Sequence, residues 1–262
     1  MRLYLEGIGL CAPGLANWGE GREVLAGNSP YRPAEMRVAA SPLLPAAERR
    51  RTTDSVKLAM NVGGEAIAQS GRRAEDVMSV FTSSGGDGKT ITAIFETLAS
   101  SEREVSPTRF HNSVHNAPAG YWSIATGCRE ASTSLCAHDF SFAAGLLEAA
   151  TRAVTEQSAV LLIAYDLPYP PVLAACRTIA APFGAAMVVS PYRTAACLAE
   201  LSLDLCRDVE TPLEDPELES LRAGIPAGRA LPLLMAVARG EERRIVIPNV
   251  AGNSVAVGVD AR

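Results

Sequence analysis

The sequence of 262 residues predicts a layered α/β fold. Short apolar segments of strand length alternate with longer segments of helical character, which is typical of a sheet covered by helices. Because 48% of the residues are hydrophobic, the chain has enough apolar material for one large core. Within residues 54–70, small and apolar side chains recur at helical spacing and predict a core helix; they are Val56, Ala59, Met60, Gly63, Ala66 and Ile67.

The first elements of the chain open this pattern. Residues 2–14 predict a strand closed by a glycine-proline turn, and residues 18–27 predict a short helix that ends on a glycine. Residues 28–50 are rich in proline and alanine without a sustained period, so we expect a surface excursion. Residues 77–84 predict a strand, which a glycine turn joins to a helix over 89–101.

The middle of the chain repeats this order of elements. Residues 112–127 predict a short helix with an aromatic face, and the β-branched segment 131–136 predicts a strand. A long alanine-rich helix is expected from Asp139 to about Glu156, followed by a strand over 158–166. We therefore expect a sheet whose strands run mainly parallel.

The last third of the chain predicts further strands around one helix. Apolar and alternating patterns indicate strands at 184–191 and 196–205. The acidic, proline-broken residues 211–220 predict a loop, and residues 230–240 predict a helix. Residues 243–260 predict a closing hairpin.

Composition limits the function. A net charge of −5 and a pI near 5.4 give no electrostatic basis for nucleic-acid binding. The six cysteines form no CxxC pair, so we expect neither a disulfide framework nor a metal, and no cofactor. No secretory signal and no apolar run of membrane-spanning length are recognisable. We therefore expect a cytoplasmic protein.

The glycine turn SSGGDGKT is placed as a phosphate-binding loop would be, between a strand and a helix. Gly88, Lys89 and Thr90 match the end of that motif, but the glycine required five residues before Gly88 is Ser83. The apolar segment ending in Asp166 is a generic counterpart of a metal-binding strand. A structural turn is therefore favoured over nucleotide binding.

Residues 106–150 resemble the segment that leads to the nucleophile of β-ketoacyl synthases. The matching positions are Ser106, Pro107, Phe110, Asn116, Ala119, Gly120, Gly127, Ser132 and Ser134. Weaker similarity extends to residues 5–14, 80–88 and 249–259. The resemblance implies a single ketosynthase-like domain over 1–262 with a thiolase-like layered fold (αβαβα).

Within that fold, the resemblance divides the chain into two parts of unequal length. Residues 1–195 correspond to a complete N-terminal thiolase-like half, and residues 196–262 to an abbreviated C-terminal half. This arrangement is similar to the short ketosynthase-like chain length factors of bacterial aryl polyene pathways.

The resemblance also implies that the nucleophile is missing. When Ser132 and Ser134 are aligned with the family motif, the reactive cysteine falls on Asp139. At a helix N-terminus a thiolate is stabilised and reactive, whereas an aspartate is a favoured N-cap and a poor acyl acceptor. The family's two catalytic histidines belong to the second half, yet no histidine follows His138. We therefore predict no catalytic residue.

Cys136 is an alternative nucleophile, three residues before Asp139. In a strand, an odd offset turns the two side chains to opposite faces. A cysteine in an apolar strand also usually serves as packing material. Both points favour a structural cysteine.

His111 and His115 are four residues apart at an expected helix start, as in a metal-binding pair. No third ligand is recognisable nearby, so a hydrogen-bonding or interface role is favoured. In ketosynthases the matching loop borders the partner's acyl tunnel, which makes a set of residues tunnel candidates by resemblance; they are Thr108, Arg109, Phe110, His111 and Val114.

Two functions follow as hypotheses. In the first, the chain is a non-catalytic subunit that heterodimerises with a full-length β-ketoacyl synthase and serves its acyl carrier protein only indirectly. Family dimers pair through the matching strand, here Ser132, Thr133, Ser134, Leu135 and Cys136. In the second, it is an independent acyl-transfer or hydrolytic enzyme that uses Cys136, or a nucleotide-binding protein that uses the glycine turn.

Overall fold

A computed structural model describes residues 1–101 and 103–261. The described residues form eight strands: β1 (Arg2–Cys11), β2 (Met78–Thr82), β3 (Ser132–Leu135), β4 (Val160–Asp166), β5 (Phe183–Ser190), β6 (Ala199–Cys206), β7 (Glu242–Pro248) and β8 (Ser254–Asp260). The α-helices are α1 (Trp18–Leu25), α2 (Ala46–Arg49), α3 (Asp54–Ser70), α4 (Gly88–Ala99), α5 (Pro107–Asn112), α6 (Ala117–Thr126), α7 (Ser141–Thr155), α8 (Pro171–Ala174), α9 (Pro216–Gly224) and α10 (Leu231–Arg239). The predicted alternation of strands and helices is confirmed.

The strands form one mixed sheet in the order β3-β2-β4-β5-β1-β6-β8-β7. Two neighbouring pairs of these strands are parallel, β2 with β3 and β2 with β4. The other five pairs are antiparallel. The expectation of mainly parallel strands is therefore wrong. Strands such as β4 and β5 are buried on both faces, and their continuous apolar sequences do not encode strand direction.

Helices cover both faces of this sheet and enclose two hydrophobic clusters. One cluster contains residues of α3 and α6, and the other contains residues of α1, α7 and α10. The contact between α3 and β1 is unusually close: a Cβ on Gly9 would lie 1.9 Å from the carbonyl oxygen of Val62. Glycine is required at that position for backbone to approach backbone. The six predicted positions on α3 are all buried, so the predicted core helix is confirmed.

Three local predictions need correction. The loop expected at 211–220 contains the start of α9, which Asp215 caps by accepting from the N–H groups of Glu217 and Leu218. The helix expected from residue 112 begins at Ala117, after a separate helix α5. Residues 138–140 form a 3₁₀ turn, so α7 begins at Ser141.

We also compared the helices with the length and hydropathy of membrane spans. Within the described chain, no single helix is both long and apolar enough to cross a bilayer. The segments Pro216–Gly224 and Pro226–Arg239 meet the criterion only as a pair, and they are bent by 119°.

Candidate functional site

The carboxyl ends of β2 and β4 meet at one edge of the sheet, where Asp166 is a buried connecting group. Its carboxylate accepts hydrogen bonds from the backbone N–H and hydroxyl of Ser84 at 2.9 and 2.6 Å, and from the N–H of Ala227 at 2.8 Å. Burial raises the pKa of the Asp166 carboxyl, and these hydrogen bonds oppose the rise. Asp166 thus joins the glycine turn to the segment before α10.

The residues of the glycine turn take part in packing and in capping a helix. Asp87 accepts from the N–H of Thr90 at 2.9 Å and so caps α4. Lys89 contacts Asp54 at 3.2 Å. Tyr169 lies against Gly85, where a Cβ would come within 1.7 Å of its hydroxyl oxygen. The geometry therefore supports a structural turn rather than a phosphate-binding loop.

Asp139 does not cap α7, and the cap prediction is wrong. The N-cap residue of α7 is Phe140, and no side chain accepts a hydrogen bond there. His138 has a left-handed φ of 52°. Asp139 is the next residue, and its carboxylate forms an ion pair with Arg177. A guanidinium partner competes successfully with helix N–H groups for a carboxylate.

The ion pair of Asp139 connects the start of α7 to the segment between β4 and β5. Arg177 also donates to the Tyr169 hydroxyl at 3.3 Å. Burial is the largest single influence and opposes a charged Arg177, but the hydrogen bonds and charge interactions with Asp139 and Tyr169 together outweigh it and raise the pKa of the guanidinium. Both sides of the pair border a cavity of about 370 Å³ whose other lining residues are His138, Cys176, Thr178, Ala223, Gly224, Pro226 and Arg229.

Cys136 is exposed, so its interpretation as packing material is wrong. Its thiol contacts the carbonyl oxygen of Ser84 at 3.2 Å. The strand β3 ends one residue earlier, at the sheet margin, which leaves Cys136 beyond the buried part of the sheet. Cys136 and Asp139 contact different neighbours, and their roles remain predictions.

The tunnel candidates lie mainly on a helix, not on a loop as expected. Thr108, Arg109, Phe110 and His111 belong to α5, and Val114 follows it. The Phe110 side chain is 67% exposed, and Val114 is 48% exposed. These apolar side chains therefore face outward from the chain.

The two histidines of this region are on different elements. His111 is on α5 and makes an edge-on contact with Tyr121, with ring centroids 5.7 Å apart. His115 lies in the connection to α6, and its Nε2 is 3.1 Å from the carbonyl oxygen of Ser83. The described residues contain no cluster of three potential metal ligands. The favoured hydrogen-bonding role is confirmed for His115.

Strand β3 is an open edge of the sheet. Its ladder partner is β2, and no second ladder partner is found among the described residues. A groove of about 520 Å³ runs beside it and is lined by His115, Asn116, Ala119, Gly120, Ser132 and Ser134. At the opposite edge, Thr211 donates its N–H to Val246 of β7, so a loop partly covers that strand. The sheet therefore offers β3 for pairing.

Sequence reasoning missed an exposed apolar face on α4. The only buried residue of this helix is Thr90, while Phe95 and Leu98 are 61% and 48% exposed. The helix contacts α5, on which Phe110 is also exposed. The signal was present in the sequence, because the apolar residues of α4 extend beyond the single stripe of a surface helix.

Comparison with known proteins identifies related sequences and folds. The family model described as "Beta-ketoacyl synthase, N-terminal domain" matches residues 25–232. No curated protein sequence matches the chain.

Three solved structures that share this fold are distant in sequence. A chain from the complex of the ketosynthase ApeO with its chain length factor ApeC from Xenorhabdus doucetiae is 23% identical, with a TM-score of 0.75; the match covers 98% of this chain and 99% of that chain. A chain of the ishigamide ketosynthase/chain length factor is 12% identical, with a TM-score of 0.74 and coverage of 100% and 99%. A β-ketoacyl synthase from Burkholderia phymatum STM815 is 15% identical, with a TM-score of 0.61 and coverage of 86% and 70%. The predicted thiolase-like α/β fold is confirmed.

Proposed function

Because the chain belongs to the β-ketoacyl synthase family, matching its N-terminal domain, we propose that it is a chain-length-factor-like subunit of a heterodimer with an active β-ketoacyl synthase. The observation that carries the proposal is the open β3 edge, together with the exposed apolar residues of α4 and α5. Exposed strand edges and contiguous apolar surface are liabilities in a monomer, and a partner covers both. The folds it matches include chains from two ketosynthase–chain length factor complexes.

The subunit would be catalytically silent. At the position aligned with the family's nucleophile, Asp139 is held by Arg177 and has no thiol to accept an acyl chain. No histidine follows His138 to supply acid–base chemistry from the second half. The condensation is therefore assigned to the partner, which also receives the acyl carrier protein.

Its contribution to the product would be steric. Phe110 and Val114 point outward from the α5 region and would border the partner's acyl tunnel, where they limit the length of a polyketide or polyene chain. We assign Thr108, Arg109 and His111 to the same border. Phe110→Ala should lengthen the product of the complex without preventing its assembly.

Co-expression with β-ketoacyl synthases of the same organism tests the proposal. We expect one synthase to co-purify at a 1:1 ratio and to make shorter products with this chain than with its Phe110→Ala variant, as measured by mass spectrometry. Ser29→Ala, a change at an exposed loop residue, is the matched control. Failure to co-purify with any synthase would refute the proposal.

The competing function is acyl transfer by Cys136, which the exposure of this thiol makes accessible. The purified chain is incubated with acyl-carrier thioesters and examined by intact mass. We expect no acyl adduct. A covalent adduct that disappears in Cys136→Ala would instead make the chain an enzyme in its own right.

A further inference from the structure

A run of arginines lies on the surface of this acidic chain. Arg49, Arg50 and Arg51 are consecutive at the end of α2, and all three are exposed. Arg109 on α5 is exposed as well. Arg51 is 3.6 Å from Glu48, but Arg49, Arg50 and Arg109 form no ion pair within the described residues. The chain as a whole carries a net charge of −5, so the charge of this region is opposite in sign to that of the whole chain.

Two contacts place the arginine run beside the apolar helices. The side chain of Asn112, the last residue of α5, donates to the carbonyl oxygen of Arg51 at 2.7 Å. Three residues after Arg51, Asp54 binds Lys89 of α4 at 3.2 Å. The run therefore lies between the end of α5 and the start of α4.

The arginines adjoin the same two helices that carry the exposed apolar residues. The outer sides of α4 and α5 carry the exposed Phe95, Leu98 and Phe110. The groove that begins at His115, just beyond α5, leads to Ser132 and Ser134 on the β3 edge. A partner paired with β3 and covering these helices would reach the arginines at its rim.

We propose that Arg49, Arg50, Arg51 and Arg109 form a docking surface for an acidic patch on the partner subunit. This inference rests on the proposed function and specifies the chemistry of its partner. In a symmetric dimer of this chain, the same surface would occur on both sides of the interface. A second copy would therefore present the same surface, in which Arg49, Arg50 and Arg109 have no ion-pair partner within the described residues, so this surface brings an excess of positive charge to both sides. An acidic patch that neutralises this excess is therefore expected on a different chain.

Charge reversal tests this surface. The variant Arg49→Glu/Arg50→Glu/Arg109→Glu is compared with Arg22→Glu/Arg193→Glu/Arg207→Glu, which changes the net charge equally at three exposed arginines on α1 and after β5 and β6. Binding of the co-purifying ketosynthase is measured by surface plasmon resonance at low and high salt. Thermal unfolding of both variants checks that they are folded.

We expect the first variant to bind the ketosynthase about tenfold more weakly, chiefly through slower association, and to lose most of its salt dependence. The control variant should bind within about twofold of the wild-type chain. Equal affinities of the two variants, or self-association of the wild-type chain through this surface, would overturn the inference.

A second probe separates this inference from the proposed function. A polyglutamate peptide is titrated against the wild-type chain and both variants at low salt. We expect it to bind the wild-type chain and the control variant but not the variant lacking Arg49, Arg50 and Arg109. If no ketosynthase binds the wild-type chain, the proposed function fails, while the peptide still decides for or against an acid-binding surface.

Discussion

At the scale of single residues, the ion pair between Asp139 and Arg177 replaces the expected helix cap. The Asp139 side chain is half exposed, whereas only 18% of Arg177 is exposed. Solvent screens the carboxylate, so the pair is worth less than a buried one. Removing Asp139 nevertheless leaves a mostly buried guanidinium whose remaining side-chain hydrogen bond, among the described residues, is to Tyr169.

We predict that Asp139→Asn lowers the free energy of unfolding by about 1 kcal/mol, because it removes the charged partner of Arg177. Urea denaturation of this variant, of Arg177→Met and of the double variant forms a double-mutant cycle. The double variant should lower the free energy of unfolding by less than the sum of the decreases caused by the two single changes. Additive effects would show that the two side chains are not coupled.

The cysteines differ in environment in a way that reactivity can detect. Burial and the nearby carboxylate of Glu65 raise the pKa of Cys11 to about 11. At pH 8 only about one Cys11 in a thousand is then a thiolate, the form that reacts with alkylating agents. Cys136 and Cys176 are exposed instead.

We therefore predict that iodoacetamide at pH 8 labels Cys136 and Cys176 before Cys11, as followed by peptide mass spectrometry. Raising the pH toward 11 should accelerate the labelling of Cys11, because its thiolate fraction grows over that range. In urea, where the chain is unfolded, the three should react alike. If Cys11 in the folded chain is labelled as early as Cys136 and Cys176, its thiol is not buried beside Glu65 as described.

Sequence reasoning located Asp139 and Cys136 but not their surroundings. The partner of Asp139 is 38 residues away on a segment without a regular pattern, so no local rule indicates it. Interpreting residues 131–136 as an apolar strand predicts a packing role for Cys136, yet three of the four residues of β3 are polar and β3 lies at the margin of the sheet. Position within a sheet follows from strand order, which neither propensity nor periodicity specifies.

At the scale of elements, a strong pattern of apolar residues correctly predicted where several helices and strands occur and which of the two each segment forms. The helix α3 and the strands β2, β4 and β5 were found because their apolar patterns are long or continuous. The helix α9 was missed although Asp215 and Pro216 are a favoured N-cap and first residue. The acidic composition of that segment was given more weight than its capping residues.

The edge strand β3 allows a change that separates folding from assembly. The carbonyl group of Ala131 accepts from the N–H of Ser79 on β2, and that of Leu135 accepts from the N–H of Ser83, the residue after β2. Because alternate residues of a parallel strand bond to opposite sides, the backbone groups of Ser132 and Ser134 face the open side. Proline is tolerated at an edge when its missing N–H would point outward.

We predict that Ser134→Pro prevents co-purification with the ketosynthase while the melting temperature of the isolated chain stays nearly unchanged. Thr133→Pro is the matched control, since Thr133 faces β2 and its change should destabilise the chain itself. Differential scanning fluorimetry and pull-down assays measure the two effects. A Ser134→Pro chain that still assembles would show that the β3 edge is not the interface.

At the scale of the whole molecule, the two predicted parts, 1–195 and 196–262, share one sheet and one of its two hydrophobic clusters. β6 pairs with the first residues of β1, and β8 and β7 extend the sheet from there. One hydrophobic cluster contains Leu3 and Leu5 of β1, Leu201 of β6, and Leu231 and Leu234 of α10. The boundary near residue 195 thus reflects similarity to the two halves of the family's fold. It does not divide the packing, because the sheet and this hydrophobic cluster continue across it.

We predict that a fragment of residues 1–195 does not fold on its own. It would expose the β6-facing edge of β1 and lose the leucines of α10, each fully buried leucine being worth about 2 kcal/mol. Circular dichroism and urea denaturation should show no cooperative transition for the fragment, whereas the full chain should unfold in one step. Co-expression with residues 196–262 is the control, because the second fragment supplies the missing strands and α10 and should restore a folded pair. A sharp transition of the first fragment alone would mean that its helices and strands already form a sufficient core, and the shared leucines would then contribute to stability without being required for folding.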